Sequence, residues 1–186
     1  MAATIPTNGI VLSSGLNVSD GDITMASGHG INFAADANAT NMSAELFDDY
    51  EEGTWTGVYK SSDGVMTMSG SNTTGRYVKI GRFVHVSGYF VATANNNANT
   101  SQTLQLSGLP FTVAPNNTSY TTQAVAYYVS TSLTSGAVIG HYAAVNDSVL
   151  IFQEMGIDTG NAQNMTVANL TADGQMMVSA SYYTTS

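Results

Sequence analysis

Apolar and polar residues alternate with a period of two along much of the chain. In FVHVSGYFVAT, Phe83, His85, Ser87 and Tyr89 fall on one side and Val84, Val86, Gly88 and Phe90 on the other, because successive strand side chains point to opposite faces. Both sides hold apolar groups, which predicts a central strand covered on each face. Shorter runs predict strands over 54–59, 65–69, 76–80, 103–106, 122–130, 137–144, 149–153 and 175–183. Turn-forming residues separate them at 63–64, 70–75, 95–99, 115–117, 135–136, 146–147, 156–160 and 173–174. No long segment shows a 3.6-residue apolar stripe. The fold class expected is all-β, with an antiparallel β-sandwich or jelly-roll head over residues 45–186.

The N-terminal part reads differently. In NGIVLSSGLNVSDGDITMASGHGINF, Gly9, Gly15 and Gly21 recur every six residues, each followed by a short apolar alternation: Ile10/Leu12, Leu16/Val18 and Ile23/Met25. A thin ribbon of this kind buries too little apolar surface to offset the ordering of its own backbone. Sister copies of the chain sharing their apolar sides around a common axis would resolve that deficit. The alternative is an irregular edge sheet of the main domain. Residues 34–44 read as a linker, with a helical turn expected over 43–47. The expected division is therefore 1–44 and 45–186.

Composition narrows the function. Thirteen acids against four bases, a net charge of −9, argue against nucleic acid as a partner, since phosphate binding needs a basic footprint. With no cysteine there is no disulfide framework or thiolate metal site. The sequence MAATIPTNG has neither a basic nor an apolar leader region, so no secretory signal is expected.

Charge is scarce, at 9% of residues, and it is concentrated. Asp48, Asp49, Glu51 and Glu52 sit in LFDDYEEGTWTGVY beside the single Trp55, while Arg76, Lys79 and Arg82 sit in GRYVKIGRF. The two segments invite pairing, within or between subunits, that sets register and orientation; the alternative is two separately solvated patches. Trp55 is the expected first anchor of the sandwich core. The acids form a poor glycosidase pair, because such carboxylates usually face a cleft from separate elements. No nucleophile elbow, zinc-protease helix or phosphate loop is present, so no catalytic residue, metal or cofactor is expected. Asn95, Asn96, Asn97, Asn116, Asn117 and Tyr120 are the candidates for a sugar-facing surface, where amides hydrogen-bond to hydroxyls and rings stack on sugar faces. Ordinary turn asparagine is the competing explanation.

The segments GINFAAD, SAELFDDYEEGTWTG, GRYVKIGRFVHVSGYF and LSGLPFTVA together resemble a recurrent module of tailed-bacteriophage fibre and virion-appendage proteins, frequent in marine phages. Its usual form resembles LLDDYEEGTWTP, YTKIG and GLPFT, and the similarity spans about residues 28–114. Phe47, Gly57 and Val78 depart from it, and the loss of proline at Gly57 is expected to loosen the first sandwich strand. The resemblance implies a homotrimeric β-rich fibre or fibre tip on the virion surface. Its N-terminus would dock other virion proteins and its head would contact a host glycan or outer-membrane component. The alternatives are a capsid decoration without a receptor, and an enzyme that degrades host polysaccharide.

Overall fold

The computed structural model describes residues 16–19, 22–32, 46–47, 49–97, 99–133, 135–156 and 160–185, with backbone alone at Asn117 and Ser130. The chain divides into two compact units, residues 1–48 and 49–186. In the first, β1 (Ile31–Asn32) pairs antiparallel with β2 (Leu46–Phe47). Leu46 and Phe47 are extended, so the helical turn expected over 43–47 does not include them. Gly9, Gly15 and Gly21, which define the expected ribbon, lie outside the described residues. Leu16, Ile23 and Met25 are exposed and belong to no strand.

The second unit is an all-β sandwich of antiparallel sheets. Its strands are β3 (Tyr50–Thr56), β4 (Val58–Lys60), β5 (Thr67–Met68), β6 (Thr74–Ile80), β7 (Phe83–Ala94), β8 (Gln105–Ser107), β9 (Thr122–Val125), β10 (Tyr127–Thr131), β11 (Val138–Ala143), β12 (Val149–Met155), β13 (Gln163–Asn164) and β14 (Leu170–Tyr183). The first sheet runs β10-β14-β7-β6-β3, with β5 also on β7; the second runs β4-β8-β12-β11-β9, with β13 also on β12. Trp55, Val84, Val86, Phe90, Met176, Val178 and Tyr182 of the first sheet meet Tyr59, Leu106, Ile139, Leu150 and Phe152 of the second in one buried core.

Two expected strands turn out to be corners. The run over 54–59 breaks at Gly57, where the chain leaves β3 and enters β4 in the other sheet. The run over 122–130 breaks at Ala126 between β9 and β10, which also lie in different sheets. Strands that switch sheets form the corners of such folds, and the apolar alternation continues through them. Gly57 does not loosen the strand. Its N–H donates to the Thr73 carbonyl at 2.8 Å, a bond proline lacks the hydrogen to make. The Phe90 ring also fills the space that a Cβ on Gly57 would enter.

Two more expectations need correction. The 173–174 stretch is a break in register inside β14, not a turn: Asp173 adopts φ 62, and pairing with β10 shifts between Val129 and Thr131. An inserted left-handed residue lets the strand bulge and continue. And β7 is central, between β14 and β6, but covered on one face only. Val84, Val86 and Phe90 are buried, whereas Phe83, His85 and Ser87 on the other face are exposed.

Candidate functional site

The outward face of the second sheet carries a cleft of about 480 Å³ lined by Tyr120, Thr121, Thr122, Tyr142 and Gln153. Its geometry follows from strand register. Tyr142 on β11 stands opposite Thr122 on β9 and Ile151 on β12. Gln153 on β12 stands opposite Gly140, where the end of the Met155 side chain fills the space that a Cβ would enter. Tyr120 is delivered by the short 3-10 turn Asn117–Ser119, closed by the Ser119 N–H on the Asn116 carbonyl at 2.8 Å. The Tyr120 and Tyr142 rings lie 6.0 Å apart at 57°, and Tyr120 is 50% exposed. Burial, reinforced by Tyr120, holds the Tyr142 phenol above its ordinary pKa, so it acts as a neutral hydroxyl. The Gln153 amide nitrogen donates to Asn164 Oδ1 at 3.2 Å, which leaves its carbonyl oxygen to accept from a ligand. Two tilted rings, an amide and two threonine hydroxyls can bind a polyol by stacking and hydrogen bonding.

Of the candidates read from sequence, Tyr120 lines this cleft, and Asn116 is exposed at the turn before it. Asn95, Asn96 and Asn97 do not line it. Asn95 donates to the Val167 carbonyl at 2.9 Å and accepts from both the backbone and the side chain of Asn97. Asn97 is buried and accepts from Ser61 Oγ at 2.6 Å, so its side chain faces inward and not toward a sugar. Asn96 is exposed and donates to Thr67 Oγ1 at 2.6 Å. The run clamps the end of β7 to its surroundings. Tyr142, Gln153 and Asn164 went unnoticed in the sequence because only strand pairing gathers them from three distant segments.

The acidic and basic segments meet as cross-strand neighbours. Glu51 stands opposite Lys79 and Thr54 opposite Arg76. Lys79, only 3% exposed, donates to Asp49 Oδ2 and sits 3.4 Å from Glu51 Oε1. Burial opposes its charge, but the hydrogen bonds and charges of Asp49 and then Glu51 outweigh that and leave its pKa above the ordinary value. The ammonium also lies 5.4 Å from the centre of the Phe111 ring, which meets Tyr77 edge-on at 5.4 Å. The Phe111 N–H donates to the Tyr182 hydroxyl at 3.3 Å. DYEEGTWT, YVKIG and GLPF therefore converge around Lys79. Trp55 packs on Phe90 at 4.9 Å. Arg82 Nε donates to the Thr184 carbonyl at 2.9 Å, Arg76 and Glu52 reach the outward face, and Asp48 lies outside the described residues.

Neutralising both partners of Lys79, with Asp49→Asn and Glu51→Gln together, is expected to lower stability by about 2–3 kcal/mol. That is below the usual cost of orphaning a buried charge, because these carboxylates are partly exposed. Lys79→Met, which removes the charge itself, is expected to cost about 1 kcal/mol or less. Urea denaturation of the three proteins checks the order.

The fold resembles part of a phage tailspike. The crystal structure of Dettilon tailspike protein (gp208) matches with a TM-score of 0.61 at 16% identity, over 72% of this chain and 24% of that one. The chain thus spans about a quarter of that tailspike's length. No protein-family model and no curated protein matches the chain. The likeness is one of architecture.

Proposed function

We propose that this chain is a tail-associated virion appendage subunit, a fibre or fibre tip, that binds a glycan on the host surface through the Tyr120–Tyr142 cleft. The observation that carries the reading is that cleft: two tyrosine rings, threonine hydroxyls and the Gln153 carbonyl converge on one open depression. The tailspike-like architecture and the fibre-module motifs support the same assignment. Binding without hydrolysis is favoured because Asp49 and Glu51 are engaged by Lys79 rather than facing a cleft.

The test is retention of the purified chain on host cells and on an array of host envelope glycans. Tyr142→Ala is expected to reduce retention about fivefold or more, matching the roughly 1–3 kcal/mol that a stacked ring contributes, with little change in melting temperature. Tyr120→Ala should weaken binding less, since its ring is the more exposed. Retention of both variants at the wild-type level would rule the cleft out, and release of oligosaccharide from the glycans would replace binding with catalysis.

A further inference from the structure

A second depression lies where β9 of one sheet passes over into β10 of the other. It holds about 440 Å³ and is lined by Ser87 and Tyr89 of β7, Ala124 of β9, Tyr127 of β10, and Met177 and Ser179 of β14. Strand register builds it. Tyr89 stands opposite Met177, and Met177 opposite Tyr127, so the three side chains share one face of the first sheet. Ser87 stands opposite Ser179, two residues along the same strands, and alternation puts both hydroxyls on that face too. The Tyr89 and Tyr127 rings lie 6.1 Å apart at 71°, close to the spacing of the Tyr120–Tyr142 pair. The Tyr89 hydroxyl donates to Gln175 Oε1, which fixes that ring. Tyr127 and Met177 are 41% and 51% exposed.

One strand joins the two depressions. Thr122 of β9 lines the first and Ala124 lines the second. Thr122, Ala124 and Ala126 alternate with Gln123 and Val125, and all three are exposed, so they form the outward row. After Thr122 that row holds only alanine, and no β9 side chain rises between the two tyrosine pairs. At about 3.4 Å per residue, Thr122 and Tyr127 lie no more than about 17 Å apart. One sugar ring cannot touch both tyrosine pairs across that span, whereas a short chain of rings can.

Charge narrows the occupant. Among the described residues, neither depression is lined by a charged side chain. The net charge of −9 also disfavours an acidic polymer. Tyrosine faces and serine or threonine hydroxyls match the C–H faces and hydroxyl groups of a neutral sugar.

We infer that the Tyr89–Tyr127–Met177 depression is a second subsite for the glycan held by the Tyr120–Tyr142 cleft, and that the ligand is an uncharged oligosaccharide segment lying across β9. This rests on the glycan reading of that cleft. The whole tract belongs to one chain, so it requires no particular number of copies.

Calorimetric titration tests it, using fragments of increasing length, from the single sugar upward, cut from the array glycan that best retains the wild type. Affinity should rise about fivefold or more once a fragment is long enough to reach from one tyrosine pair to the other. Tyr127→Ala should remove that rise and leave binding of the shortest fragments unchanged. Ala124→Ile, which raises a stiff branched side chain between the pairs, should do the same. Tyr142→Ala should weaken binding at every length. Affinity that does not rise with length, or a rise that survives in Tyr127→Ala, overturns the second subsite and leaves the cleft standing. An acidic sugar as the retained glycan overturns the uncharged ligand. Light scattering should give Tyr127→Ala the wild-type mass; a changed mass overturns the inference, since the face would then join copies of the chain. Failure of the wild type to retain any glycan overturns the cleft and this subsite together.

Discussion

The protein is expected to lose about 3 kcal/mol of stability between pH 6.5 and pH 4, mainly through one residue. His141 is 1% exposed on the inner side of β11. Its Nε2 donates to the Ser179 carbonyl of β14 at 3.0 Å, a hydrogen bond that joins the two sheets. Its ring meets Phe152 edge-on at 6.0 Å, and Nδ1 has no partner among the described residues. Burial is the main cause that lowers its pKa from 6.5 to about 4, against a small opposing effect of the Ser179 bond. Gln123, on the paired position of β9, presents a buried carbonyl oxygen, but a neutral oxygen offsets little of the desolvation of an imidazolium.

The direction follows from proton counting. Between pH 4 and pH 6.5 the unfolded chain holds a proton on this residue that the folded chain does not. Stability therefore rises with pH across that interval and is fully present above it. At about 1.4 kcal/mol per pH unit, the interval from 6.5 to about 4 amounts to about 3 kcal/mol. Urea midpoints measured from pH 7.5 to pH 4 check this, with His141→Gln as the control. The variant should be less stable at pH 7.5, because its packing against Phe152 is poorer, and should show a flatter profile. An equally steep profile in His141→Gln would assign the pH response to other groups.

Gly108→Ala is expected to cost about 4 kcal/mol, a large share of an ordinary stability of about 5–15 kcal/mol. Gly108 opens the GLPF segment at φ +96, where a Cβ is strained by about 1–3 kcal/mol. An added Cβ would also collide with the Thr56 carbonyl oxygen. That oxygen belongs to the backbone at the β3–β4 corner, so it cannot swing aside as a side chain would, and overpacking adds about 1–3 kcal/mol. The neighbouring N–H groups of Gly108 and Leu109 both donate to the Ser148 carbonyl, at 3.1 and 3.2 Å, which holds the segment in place. Gly81→Ala is the comparison. Gly81 has φ +54 in the turn between β6 and β7, with no atom near the position of an added Cβ, so only the backbone strain of about 1 kcal/mol applies. Thermal unfolding of both variants should separate them by about 6–24 °C, since 1 kcal/mol shifts Tm by roughly 2–8 °C in domains of this size range. Equal melting temperatures would mean that the Gly108 collision is relieved at no cost.

The strand content, the pairing of DYEEG with GRYVKIGRF and the anchoring by Trp55 were legible because each depends on residues near in sequence or opposite in charge. Alternation marks a strand whichever sheet it joins, and scarce charges have few partners to choose from. The same logic could not see the corners at Gly57 and Ala126, since alternation continues when a strand changes sheets. It also misread Phe83. Apolar side chains on both faces of β7 predicted cover on both, but a strand's neighbours say nothing of what lies above the sheet.

The candidate site was legible only at Tyr120. The asparagine run at 95–97 has the chemistry to bind sugars, but its amides are used to hold the chain against Val167, Ser61 and Thr67. Tyr142 and Gln153 looked like ordinary strand residues until register placed them beside Tyr120.

Local pattern and composition by themselves determined that this chain is an antiparallel β protein with a charge-poor surface and an acidic segment matched to a basic one. Those properties follow from residue type and spacing, which act over a few neighbours. Tertiary structure alone decided which face of the first sheet stays open, which tyrosines share a cleft, and that His141 is buried between the sheets without a charge partner. Each of those depends on residues brought together from far apart in the chain, and hydrophobic burial is indifferent to sequence distance.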